Sequence, residues 1–162
     1  MCAVGWFKSP AREAFAKFTA AIYQGKPLVV VTRADNATVF DSETLGELFG
    51  NRNLKMGRKL GYSYGAYIDG KIAERNPHLV TTAQDNDGMV RMLLGRRFDY
   101  MFATAEESAM VIEGVGTAAA DLLTVTMKDT PPGNKRCILC SKSVEDAIID
   151  KLNVAIAKQG AE

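Results

Sequence analysis

Between residues 58 and 114 the apolar residues alternate between short runs and helical spacing, and that alternation is what most limits the folds open to this chain. "RKLGYS" (58–63) reads as a strand, and "YGAYIDGKIAER" (64–75) sets Tyr64, Tyr67, Ile68 and Ile72 on one helical face. "HLVTTA" (78–83) is a second strand. "DNDGMVRMLLG" (85–95) is a helix with Met89/Leu93 and Val90/Leu94 as i,i+4 pairs, closed by Gly95. "FDYMFA" (98–103) is a third strand, and "TAEESAMVIEG" (104–114) a helix whose Thr104 and Glu107 have the spacing of a reciprocal capping box. Strand, helix, strand, helix, strand, helix requires right-handed crossovers and parallel strands. The expected class is therefore α/β, a mostly parallel central sheet with helices on both faces.

The flanks are less regular. "AVGWF" (3–7) reads as a strand with nothing before it to pair with, and "SPAREAFAKF" (9–18) as a helical turn started by Ser9 and Pro10. "KPLVVVTRAD" (26–35) is a β-branched strand. "DSETLGELFG" (41–50) is a short helix with Ser42 as its expected N-cap and Gly50 as its stop. "LLTVTM" and "KRCILCS" are strands joined by the turn-forming "KDTPPGN". "SVEDAIIDKLNVAIAKQG" (143–160) is a closing amphipathic helix, expected to bury Val144, Ile148, Leu152 and Ile156.

Composition excludes several functions. Twenty basic against nineteen acidic residues leave a formal charge of +1, so no overall field draws nucleic acid, and no nucleic-acid partner is expected. Runs such as "LVVV" are far shorter than the ~20 residues that span a bilayer. No basic and apolar leader precedes the folded part, so the protein either stays in the cytoplasm or its signal peptide is not in this chain. "CILC" has the spacing of metal and redox sites but no second Cys or His pair; with the apolar run around it, Cys137 and Cys140 read as ordinary strand cysteines. His78, the single histidine, reads as a loop or strand-edge residue. With no His/Ser/Cys set, metal cluster or phosphate loop, no enzyme activity, metal or cofactor is expected.

Several phrases together resemble the extracellular solute-binding proteins of ABC importers, family 3, the polar amino-acid-binding type. "SPAREAFAKFTAAIYQGKPLVVVTRADN" is similar to that family's arginine turn and the strand that crosses to its second lobe; "MGRKLGYSYGAYIDGKI", "MVRMLLGRRFDYMFATAEES" and "CILCSKSVEDAIIDKLNVAIAK" follow in the family's order. The resemblance implies a periplasmic-binding-protein-like fold of type II, with the second lobe complete and the first partial. It divides the chain into 1–26 (remnant of lobe one with the ligand arginine), 27–135 (lobe two) and 136–162 (return strand and closing helix). A full member would carry more chain ahead of Cys2, so this one reads as a piece whose uncovered "AVGWF" edge invites homodimerisation.

The resemblance also implies a function: capture of a small polar or carboxylate-bearing ligand between lobes, with hinge closure and delivery to a membrane permease, in the periplasm or outside the cell. The alternative is a sensor or protein-interaction module on the same fold. Arg12 takes the place of the carboxylate clamp, with Ser9 and the backbone at Phe7 beside it as donors. Taken alone, without the resemblance, Arg12 reads rather as a surface helix residue paired with Glu13 or a neighbour. In "GYSYG", Ser63, Tyr64 and Gly65 form either a polar-group site at a helix N-terminus or a tight turn. Thr104 stands where amino-acid-binding members generally place an aspartate for the ligand ammonium, which argues against an ordinary α-amino acid.

Overall fold

The computed structural model describes residues 1–159, so Gly160, the expected helix end, lies outside the described residues. In chain order the elements are β1 (Cys2–Trp6), α1 (Pro10–Glu13), β2 (Ala16–Gln24), β3 (Leu28–Arg33), α2 (Ala37–Phe40), α3 (Leu45–Gly50), β4 (Lys55–Lys59) and α4 (Ala66–Arg75). There follow β5 (His78–Thr82), α5 (Asn86–Leu94), β6 (Tyr100–Thr104), α6 (Ala105–Gly114), a 3₁₀ turn (Gly116–Asp121), β7 (Leu122–Val125), β8 (Lys135–Ser141) and α7 (Asp146–Gln159). They form two compact units: Pro27–Pro132, and Met1–Lys26 together with the segment from Gly133 onward.

The larger unit is a five-stranded sheet of order β5-β4-β6-β3-β7. β4 pairs in parallel with both β5 and β6, as the alternation requires, while β3 runs antiparallel to β6 and β7. Four of the five strands therefore point one way. The strand alternation sorts two cores. Val30, Met56, Tyr100 and Phe102 face Leu45, Leu48 and Phe49 of α3 and Ile68 and Ile72 of α4. Val31, Met101 and Ala103 face Met89, Val90 and Leu93 of α5 and Val111 of α6. Helices thus cover both faces, and β6 is buried on both sides. Gly57 permits the approach of Phe98: a Cβ there would lie 2.5 Å from the Phe98 ring.

The smaller unit is an antiparallel sheet of order β1-β8-β2, with α7 packed on β2. Lys17 of β2 reaches Asp146 at 2.6 Å and the Val144 carbonyl at 2.7 Å, and the Ala20 amide donates to Asn153 Oδ1 at 2.7 Å.

Several local expectations change. The N-cap of α3 is Thr44, in a capping box with Glu47, because Glu47 sits three residues on and can reciprocate; the Ser42 hydroxyl donates back to the Thr38 carbonyl. The strand expected over 58–63 is β4, earlier by a few residues, since "GYSYG" leaves the sheet as a turn. The segment after Phe15 is a nine-residue strand, β2, that local propensity did not reveal and that β8 pairs into a ladder. In α7 the inward residue is Ile149, with Leu152 and Ile156 partly buried, while Ile148 is exposed. Cys140 is not an ordinary strand cysteine: it lies opposite Cys2 in the β1–β8 ladder and forms a disulfide with it, leaving Cys137 as a buried thiol.

Candidate functional site

The parallel strands β4 and β6 end side by side, and in open α/β sheets the crevice at the carboxyl ends of the strands is where ligands bind. Here Lys59 closes β4, Thr104 closes β6, and α5 and α6 begin nearby. The cleft they form holds only about 30 Å³ and is lined by Lys59, Tyr62, Tyr64, Asn86, Phe102 and Glu107, among others. Lys59 Nζ donates to Asn86 Oδ1 at 2.9 Å. The Tyr62 and Tyr64 rings lie 5.3 Å apart, and Tyr64 lies 5.5 Å from Phe102. Burial pushes the Tyr64 phenol up to about 12.

Of the residues marked in the sequence, Ser63, Tyr64 and Gly65 meet in the loop leaving β4. That loop is organised around Asp69, in the first turn of α4, which the sequence reading did not single out. Its carboxylate accepts from the Ser63 hydroxyl and, at 3.0 Å, from the Tyr64 amide; the Gly65 amide donates to Ser63 Oγ at 3.3 Å. These polar groups therefore already have internal partners. Gly65 has φ +96, the left-handed side of backbone space that glycine occupies without strain. The signal that could have found this is an acidic residue one turn into a helix behind a Ser-containing turn. Thr104 and Glu107 form the expected capping box: the Thr104 amide donates to Glu107 Oε2 at 3.0 Å, and the Glu107 amide to Thr104 Oγ1 at 3.1 Å.

Phe7, Ser9 and Arg12 lie together in the smaller unit. Ser9 starts α1 through its carbonyl, which accepts from the Arg12 and Glu13 amides at 3.0 and 2.9 Å; its side chain makes no cap. The Phe7 carbonyl is an acceptor, taking Arg12 Nη1 at 3.0 Å. The Arg12 guanidinium also lies 4.4 Å from the Phe7 ring centroid and 4.9 Å from that of Trp6. Glu13 pairs with Lys8 at 3.0 Å and not with Arg12. A groove of about 360 Å³ opens beside Phe7, with Lys8, Lys135 and Thr19 in its wall. Among the described residues no cluster of His, Cys, Asp and Glu has the makings of a metal site, and no helix is long and apolar enough to cross a membrane.

No family model matches the chain, and no curated protein matches it by sequence. Solved structures do. An ancestral arginine-binding protein bound to arginine superposes with a TM-score of 0.70 at 16% identity, over 98% of this chain and 64% of its own. An arginine 3rd transport system periplasmic binding protein from Legionella pneumophila gives 0.70 at 16% identity, over 99% and 67%.

The fold is that of the periplasmic binding proteins.

A third solved structure, an ancestral amino acid-binding protein described as a precursor of cyclohexadienyl dehydratase, shares this periplasmic-binding-protein-like fold with a TM-score of 0.68 at 13% identity over 98% of this chain and 62% of its own. The chain thus spans less than two thirds of the length of the arginine-bound neighbour. At these identities the likeness speaks for the fold.

Proposed function

We propose that this chain is a solute-binding protein that captures a small polar or carboxylate-bearing molecule and works with the permease of an ABC-type importer. The observation that carries this reading is Arg12. Its guanidinium is half-buried and fixed by the Phe7 carbonyl and two aromatic rings, yet no carboxylate of the protein meets it among the described residues. A planar fork held in place with its charge uncompensated suits bidentate capture of a ligand carboxylate. Ser9 and Phe7 belong to this reading as the framework of Arg12; in the larger unit, the turn of Ser63, Tyr64 and Gly65, Thr104 at the end of β6 and Lys59 are its expected polar groups. The fold neighbours named for amino-acid or arginine binding support it, and the Cys2–Cys140 disulfide fits an oxidising compartment, periplasmic or extracellular.

The test is a thermal-shift screen of the whole chain against amino acids, monocarboxylates, dicarboxylates, amines and sugars, repeated with Arg12→Gln. A carboxylate-bearing compound should stabilise the wild type and lose its effect in the variant. Equal stabilisation of both proteins, or none by any carboxylate, overturns the reading.

A second reading, a protein-interaction module or a homodimer, draws on one observation. Val4 and Trp6 of β1 and Ile22 and Tyr23 of β2, the two edge strands of the smaller unit's sheet, are exposed together with Phe15, and exposed apolar side chains on sheet edges favour contact with another chain. Sedimentation as a monomer at high concentration would remove it.

A further inference from the structure

Arg12 is not alone. Arg136, at the start of β8, donates through Nη1 to the Gly5 carbonyl at 3.2 Å, and its guanidinium carbon lies 5.3 Å from the centroid of the same Phe7 ring that Arg12 stacks on at 4.4 Å. Both are half-buried, and neither meets a carboxylate among the described residues. Several basic residues are ion-paired, Lys8 with Glu13, Lys17 with Asp146, Arg33 with Asp99, Arg96 with Asp35 and Lys128 with Glu43, and Arg52 and Arg58, which also donate to carbonyls, share no aromatic ring among the described residues. Around Phe7 the chain instead orients two guanidiniums with carbonyls and ring faces, which carry no net negative charge. Exposed Lys135 adds a third cation in the groove beside the ring.

Two like charges on one ring repel, and each loses hydration against it, so this arrangement is stabilised when an anion bridges them. Each guanidinium has five N–H donors, of which a backbone carbonyl takes one, so each still has N–H groups to offer an incoming acceptor. A single carboxylate satisfies one fork. Two forks call for two acidic groups, and Glu13, next to Arg12 in the chain, is already held by Lys8.

We infer that Arg12 and Arg136, which share the Phe7 ring as a platform, bind a small solute bearing two carboxylates. This rests on the proposed role of Arg12 and adds the substrate class and a second specificity residue. Arg136 sets the preference for two acidic groups over one, and Lys135 contributes long-range attraction.

The experiment is calorimetric titration of the whole chain at low ionic strength with succinate, glutarate, propionate and inorganic phosphate, for the wild type, Arg12→Gln and Arg136→Gln. A charge-assisted hydrogen-bonded pair corresponds to about tenfold or more in affinity. Succinate or glutarate should therefore bind the wild type at least about tenfold more tightly than propionate. Arg136→Gln should erase that preference while leaving propionate affinity within about twofold, and Arg12→Gln should remove binding of both classes. Should glutamine at 136 disturb the strand it holds, Arg136→Lys supplies the second measurement: it keeps the charge but not the fork, and the preference should shrink. Equal affinity for one and two carboxylates, or an unchanged preference in both Arg136 variants, overturns the inference while leaving the Arg12 reading intact. Phosphate binding more tightly than either dicarboxylate overturns the dicarboxylate assignment. If no carboxylate binds at all, the inference fails together with the proposed function.

Discussion

Arg33 at the end of β3 donates through Nη2 to the Asp99 carboxylate at 3.0 Å, and the other oxygen of that carboxylate accepts from the Lys55 amide at 2.8 Å. One ion pair thereby ties together the antiparallel strand β3, the start of β4 and the residue leading into β6. Arg33 is 7% exposed, and it also donates to the Leu93 and Phe98 carbonyls at 3.0 and 2.9 Å.

Asp99→Ala removes this partner and the acceptor of the Lys55 amide, while Asp35 stays 3.5 Å from Arg33 Nε and keeps part of the compensation. The variant is therefore expected to lower unfolding stability in urea titrations by about 2 kcal/mol, below the ~3–5 kcal/mol lost when a buried charge is left with no partner. The double variant Arg33→Met/Asp99→Ala should be less damaged than the two single losses added together. Additive losses would show that the two side chains act independently.

Gly57 lies in the parallel ladder directly under Phe98, which is fully buried. Gly57→Ala places a methyl group where the ring already is, and overpacking of this kind costs about 1–3 kcal/mol. The companion variant Gly50→Ala, where a Cβ meets nothing within 4 Å, should change the thermal midpoint little. Equal effects at the two sites would contradict the packing described.

Stability should fall in alkali. The Tyr64 phenol is raised by burial to about 12, and burial raises that of Tyr100 as well, above an unfolded value near 10. A group that holds its proton more tightly when folded contributes its full stabilisation below the unfolded value, and that contribution is lost as pH climbs from about 10 through the folded value. Unfolding free energy is expected to decline over that window, with part of the tyrosinate absorbance appearing only on unfolding. Tyr64→Phe should flatten the decline. A pH-independent stability from 9 to 12 would contradict the burial of both rings.

The Cys2–Cys140 disulfide joins residues 138 apart in sequence. A cross-link over so long a loop restricts the unfolded chain, and disulfides of this sort stabilise by about 2–4 kcal/mol. Reductant should lower the thermal midpoint, and Cys2→Ala should match the reduced protein. The Cys137 thiol, which is buried, should react with a thiol reagent only after unfolding. Rapid labelling of two thiols under native, non-reducing conditions would contradict the pairing.

Asp69→Asn should loosen the turn after β4, because the Ser63 hydroxyl and Tyr64 amide lose a charged acceptor. Hydrogen exchange at the Tyr64 amide should rise about tenfold or more, in keeping with a charge-assisted hydrogen bond of ~1.5–3 kcal/mol. Unchanged protection would place another acceptor at that amide.

Local chemistry was sufficient for part of this molecule. The helices α4, α5 and α6 and the capping box of Thr104 and Glu107 follow from spacing within a few residues, so the sequence by itself determined them, along with the parallel run β4–β6 that right-handed crossovers impose. The helical turn carrying Arg12 was legible as well, from Ser9 and Pro10 at its start. What lay beyond it required partners distant in sequence. β2 becomes a strand because β8, over a hundred residues away, supplies its ladder. Cys140 meets Cys2, Arg33 meets Asp99, and Arg136 comes to the ring on which Arg12 rests, each through the pairing of strands that no local pattern encodes. The tertiary structure decided these contacts because strand register is fixed by packing and hydrogen bonding across the sheet, whereas helix periodicity and caps are fixed by neighbours one turn away.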